Sequence, residues 1–221
     1  MSASPDEVAA GHAFYTRTTL RLYDPMILGF FSRLAWQCPK ARILQHYDAH
    51  VTSNHLDVGV GTGYFLDRCR FPTATPRLVL MDLNLTCLDV AAGRLARYEP
   101  ERRVANVLEP IANTGEPFES IGLTYLLHCV PGSIRDKAAV MGNLAQLARP
   151  GGVLFGATLL HDGVERNWLA RQVMARNYRV GIFSNRSDDL DGLRWALDQH
   201  LVATEVTTVG CVAIFFGRVP E

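Results

Sequence analysis

Three glycines at alternate positions, Gly59, Gly61 and Gly63, follow an aspartate, Asp57, in the stretch HLDVGVGTGYFLD that spans 55–67. Glycine lets a backbone turn sharply and come within contact distance of a ligand or a neighbouring helix, so this loop is the first candidate for chemistry. A dinucleotide fingerprint requires G-x-G-x-x-G. Here Tyr64 holds the place of its third glycine. No Gly-Lys-Ser/Thr phosphate loop follows either. A carboxylate beside the glycines is a poor neighbour for pyrophosphate and a good one for a cationic group, so the loop points to a ligand carrying positive charge at that end.

Asp82 closes the next apolar run, RLVLMDL, at 77–83. At the carboxyl end of a strand such a group can accept hydrogen bonds from both hydroxyls of a ribose; the alternative is a helix N-cap. Taken with the glycine loop, Asp82 reads as part of a nucleoside site. His128 is the candidate general base, set against the alternative of a structural histidine bonding a loop carbonyl. His161 and Asp162 form a second polar pair, and Tyr125 is placed either at the reacting end of the site or in the core.

These groups must be held by the elements around them. From residue 55 the pattern alternates between short apolar runs and amphipathic stretches. HLDVGV, RLVLMDL, RVANVL, SIGLTYLLH (120–128) and VLFGATLL read as strands. Helices are expected from Tyr64, over LTCLDVAAGRLARY, over SIRDKAAVMGNLAQLA, from Glu165 to Val180 and from Leu190 to His200. ATEVTTVG and CVAIFFGRV, separated at Gly210, read as a closing antiparallel hairpin. Such alternation predicts an α/β fold with a mostly parallel sheet covered on both faces, and ligands beyond the carboxyl ends of its strands. Residues 1–50 read as a helical N-terminal cap starting at Pro5–Glu7 and interrupted near Pro39. Residues 51–221 are the cofactor-binding core of the same single domain.

With 221 residues, 48% of them apolar, the chain is long enough for one domain with a substantial core. Lys plus Arg and Asp plus Glu are 22 each, which gives no basic excess to hold a polyanion. The expected partner is a small molecule, with no nucleic acid and no membrane. Five scattered cysteines without metal-ligand spacing read as free buried thiols in a reducing, cytoplasmic setting. The N-terminal residues do not read as a signal peptide, and no metal site is expected.

Four motifs in order resemble the class I S-adenosylmethionine-dependent methyltransferases over roughly residues 40–218. DVGVGTG is similar to their acidic-x-G-x-G-x-G loop, VLMDLN to their ribose-binding strand end, ANVLEP to their adenine-contacting segment and ARPGGVLFGA to their approach to strand five. LTYLLHCVPG further resembles a bacterial and fungal branch that acts on small molecules. The resemblance implies a Rossmann-like seven-stranded sheet with an antiparallel last strand, and S-adenosyl-L-methionine as cofactor. It implies that Gly59, Gly61 and Gly63 lie against the methionine end, with Asp57 favouring the ammonium group. Asp82 would hold the ribose, Leu83 the adenine face, and Asn106 with Val107 the adenine edge. The family usually has Asp where Asn106 stands, but the amide oxygen can still accept a hydrogen bond.

The aromatics Phe14, Tyr15, Tyr23, Phe30, Phe31 and Trp36, and the segment NWLARQVMARNY with Trp168, Met174 and Tyr178, are the expected walls of the acceptor site. Core packing is their alternative. Cys129-Val-Pro131 reverses the Pro-Cys order of cytosine-base methylation, and no Asn/Asp-Pro-Pro-Tyr/Phe segment is present. The reading is methyl transfer to a small-molecule acceptor, with secondary metabolism as the suggested setting. A nicotinamide-dependent oxidoreductase and a non-catalytic cofactor-binding protein stand as alternatives.

Overall fold

The computed structural model describes residues 19–20, 24–113 and 115–221. Strands β1 (Asn54–Val58), β2 (Arg77–Asp82), β3 (Glu101–Val104), β4 (Phe118–Thr124), β5 (Ala148–Leu159), β6 (Val202–Val209) and β7 (Val212–Arg218) form one sheet. Their spatial order is β3-β2-β1-β4-β5-β7-β6. The first five strands pair in parallel, and β7 runs antiparallel to both of its neighbours. The expected Rossmann-like sheet with its closing hairpin is therefore present.

Period-two alternation splits each central strand between two cores. Leu78 and Leu80 of β2, Phe155 and Ala157 of β5 and Ile214 of β7 face one side. There they meet α1 (Lys40–His50), α2 (Tyr64–Arg68), α3 (Leu85–Arg94) and α5 (Trp168–Arg179). Val79, Met81, Leu154 and Phe215 face the other side, against α4 (Ala138–Ala145) and α6 (Leu190–Asp198). Strand β1, with neighbours on both edges and both faces, is buried at all of its positions. Asn84, Asn167 and Asp189 start α3, α5 and α6 by accepting backbone N–H bonds through their side chains.

The structure shifts several expected boundaries. Pro39 precedes α1 at its N-cap, so 40–50 is a helix packed on the sheet through Ile43 and Tyr47. Before it, a π-helical stretch, Asp24–Phe31, runs into Ser32–Leu34. The third strand ends at Val104, and 105–108 leave the sheet instead of extending it. The fourth ends at Thr124, followed by Tyr125 at a φ of 59° and a tight turn over Leu127–Cys129. SIGLTYLLH is mostly apolar because both the strand and the turn are largely buried, and apolarity alone does not mark where the ladder stops. Pro5–Glu7, Phe14, Tyr15 and Tyr23 lie outside the described residues.

The chain order reverses at β1, whose neighbours β2 and β4 are reached by crossovers in opposite directions. The loops leaving β1 and β4 diverge there, which opens a crevice at their carboxyl ends.

Candidate active site and cofactor cleft

That crevice is lined by Asp57, Gly59, Gly61, Gly63, Asp82, Leu83, Asn106, Val107 and Tyr125. The fold thus brings together every residue expected at the cofactor and, among the described residues, one of those expected at the acceptor, Tyr125.

Asp57 sits at the floor, 4% exposed. Its Oδ2 accepts a hydrogen bond from the Tyr47 hydroxyl at 2.9 Å and lies 3.5 Å from His55 Nε2. His55 Nδ1 is in turn 2.8 Å from Ser120 Oγ on β4. A Cβ at Gly122 would stand 3.0 Å from the same carboxylate oxygen, so a glycine in β4 leaves room for it. Burial, and then the charge of Asp57, push the Tyr47 phenol well above its usual range, which keeps it a donor. The sequence pointed to Asp57 but not to Tyr47, His55, Ser120 or Gly122, which hold it.

The three glycines are required for two different reasons. All have positive φ, at 71°, 51° and 70°. At Gly59 a Cβ would come within 2.9 Å of Leu126; at Gly63 it would press on Ala91 and Leu95 at the α3 end of the domain, each at 3.2 Å. Those two glycines serve packing. At Gly61 a Cβ meets nothing within 4 Å although the residue lines the cleft. That is the place where backbone is left bare for a ligand.

Across the cleft, Asp82 Oδ1 accepts a bond from Asn84 N–H at 2.8 Å, and Asn84 rather than Asp82 caps α3. Asn106 Oδ1 accepts from Leu108 N–H at 3.1 Å, while its amide donates to Glu109 Oε1 at 2.8 Å. This turn carries Ala105 to Leu108 along the cleft wall. A buried carboxylate, a bare glycine and a second carboxylate in sequence match the acceptors and open backbone expected for an amino acid joined to a nucleoside.

The acceptor-side candidates separate. Tyr125 lines the cleft, with its ring 6.5 Å from Phe65 and 6.1 Å from His128. His128 is off the cleft wall and 5% exposed. Its ring abuts Phe183 at 4.7 Å. Burial, helped by Lys137, lowers its pKa to about 3. Its Nδ1 has no hydrogen-bond partner among the described residues. His161 pairs with Asp162 at 3.2 Å outside the cleft lining, and Trp168 is 67% exposed at the start of α5. Met174 is a core residue. The cleft rim also holds Cys129, Val130, Pro131 and Leu28, none of which the sequence had assigned to the site. Behind His128, Lys137 Nζ and Asp188 Oδ2 form a buried ion pair at 2.6 Å. Among the described residues no group of His, Cys, Asp or Glu is arranged to hold a metal ion, and no helix is long and apolar enough to cross a membrane.

Comparison with known proteins agrees with this geometry. Residues 56–154 match the model of a methyltransferase domain. The chain is 42% identical over 209 residues to the demethylluteothin O-methyltransferase of Streptomyces thioluteus, covering 95% of this chain and 91% of that one. It is 35% identical to the physcion biosynthesis cluster O-methyltransferase of Aspergillus chevalieri, covering 96% of each. The DhpI structure in complex with S-adenosylhomocysteine superposes with a TM-score of 0.70 at 15% identity, covering 99% of this chain and 100% of that one. The protein belongs to the class I S-adenosylmethionine-dependent methyltransferases. It uses S-adenosylmethionine to methylate a small molecule.

Proposed function

We propose that the acceptor atom is the oxygen of an acidic hydroxyl, phenolic or enolic, on a planar conjugated molecule of secondary metabolism. The observation that carries this reading is the placement of His128, buried and off the cleft wall. The histidine nearest the reacting end is buried and poised near pKa 3, too weak a base to strip a proton from an ordinary alcohol. An acceptor that ionises by itself needs no stronger base. The two O-methyltransferases that the chain resembles support oxygen as the atom.

The bound cofactor supplies a methyl group already made electrophilic by a sulfonium. The residues of this chain bind and orient. Asp57 offers its buried charge to the ammonium group, and Gly61 lets the methionine portion lie on the backbone. Asp82 takes the ribose hydroxyls; Leu83, Asn106 and Val107 take the base. Tyr125 stands between cofactor and acceptor and sets the angle of approach, with apolar Leu28 and Val130 excluding water. Alignment of this kind is worth up to about 7–11 kcal/mol of barrier. His128 acts by shaping the wall behind Tyr125.

The test is a transfer assay with isotopically labelled S-adenosylmethionine and paired phenol, enol, aliphatic alcohol and aniline acceptors. Label is expected on the oxygen of the phenol or enol, with a rate that rises as the pH passes the acceptor's own pKa. Label on nitrogen alone, or equal rates with aliphatic alcohols, contradicts the reading.

A further inference from the structure

The N-terminal helical stretch is fixed very differently at its two ends. Its far end is joined to the body by a backbone bond, from Cys211 N–H to the Trp36 carbonyl at 3.1 Å, and closed on itself by another, from Cys38 N–H to the Ser32 carbonyl at 2.9 Å. The Asn167 amide adds a bond to the Leu34 carbonyl at 2.7 Å. At its near end the described polar contacts come from one side chain, while Leu20 further back is buried in the core. Asp24 Oδ1 accepts from the Thr62 hydroxyl at 2.6 Å, and Asp24 Oδ2 from Arg94 Nη2 at 2.6 Å. Arg94 Nη1 also donates to Thr62 Oγ1 at 3.1 Å, which closes the triangle. Thr62 lies between Gly61 and Gly63, and Arg94 is on α3, the helix that follows Asp82. One turn beyond Asp24, Leu28 is 4% exposed and lines the cleft.

We infer that Asp24–Leu34 is a strap over the cofactor cleft, and that Asp24 is the positioning residue whose clasp on Thr62 and Arg94 sets how long the cofactor stays bound. The inference rests on the reading of the cleft as the cofactor site. Leu28 covers the cleft only while the clasp is closed. Among the described contacts, opening it releases one carboxylate from one hydroxyl and one guanidinium. The pair is partly exposed, at 29% for the Arg94 side chain and 19% for Asp24, so salt can reach and weaken it. Because the clasp grips both the glycine loop and α3, closing it also fixes the separation between the Asp57 and Asp82 ends of the cleft.

The test is the rate at which S-adenosylhomocysteine leaves the full-length protein, followed by stopped-flow displacement in the wild type, Asp24→Asn, Arg94→Met and, as a control, Asp89→Asn. Asp89 bonds Arg102 on the outer surface at 2.7 Å, away from the strap. Release is expected to be at least about tenfold faster in the two clasp variants and unchanged in the control. Raising the salt from about 0.05 to about 0.5 M should speed release from the wild type and leave Asp24→Asn unaffected. That salt response is one a merely structural role would not produce. If the variants fail to fold, the wild-type response stands alone as the test. Release that is insensitive to both salt and substitution overturns the strap. If the wild type does not bind S-adenosylhomocysteine at all, the cofactor site itself is misassigned.

Discussion

Asp57 is a carboxylate kept out of water, and its tolerance there depends on neighbours that can be removed one at a time. Tyr47→Phe takes away the 2.9 Å donor and nothing of the ring that stacks on Phe65. The expected cost is about 1–3 kcal/mol of stability in denaturant unfolding, because a buried acceptor loses its partner. An unaltered unfolding curve would mean that the bond is not made. The glycines offer a sharper contrast. Gly61→Ala meets no neighbour, so its stability loss should be limited to the left-handed backbone, about 1–2 kcal/mol. Its added methyl enters the cleft, and S-adenosylhomocysteine binding by calorimetry should fall at least about tenfold. Gly59→Ala must also displace Leu126, and should lose about 1–3 kcal/mol more in the melt. Equal destabilisation of the two variants, with binding intact in both, would remove Gly61 from the site.

At the scale of elements, the acceptor side is held by the buried Lys137–Asp188 pair, which joins the start of α4 to the loop before α6. Lys137 Nζ also donates to the Ser184 carbonyl at 3.2 Å, and Ser184 N–H bonds the His128 carbonyl at 2.8 Å. Desolvation lowers the Lys137 pKa and raises that of Asp188 to about 6, in each case against the pull of the partner. Asp188→Ala leaves an ammonium group buried alone, at an expected cost of about 3–5 kcal/mol in unfolding free energy. Pairing Lys137→Met with Asp188→Leu should recover most of that loss. A double variant no better than the single one would show that the pair does not act as a unit. None of this was legible in the sequence, where Lys137 read as one polar residue of an amphipathic helix. Strands β2 and β5 were legible as short apolar runs because each strand must feed two cores. The ends of β3 and β4 were not, because the segments after them are apolar or buried for reasons other than pairing.

For the whole molecule, pH exposes the cost of burying imidazoles. The folded-state pKa of His128, about 3, lies below the value of 6.5 for the free side chain. The unfolded chain therefore takes up the proton first. The stability associated with the neutral ring is present above pH 6.5 and is lost as the pH falls from there towards 3. Between pH 6.5 and 5 the loss is about 2 kcal/mol for this one group. Subtracting the pH profile of His128→Gln from that of the wild type isolates it from His46, itself lowered to about 4, and from Asp188. Two parallel profiles would mean that His128 is solvated. At this scale the sequence showed the sheet, the hairpin and the order of cofactor motifs, since these rest on local pattern. It hid what holds Asp57 in place: Tyr47 on α1, Ser120 and Gly122 on β4. Contacts between distant segments leave no periodic trace.

The most direct measurement is titration calorimetry of S-adenosylhomocysteine and NAD into the wild type and Asp82→Ala. The cleft described here predicts that S-adenosylhomocysteine binds and NAD does not, and that loss of the carboxylate weakens binding at least about tenfold. Equal affinity in the two proteins, or binding of NAD alone, would contradict it.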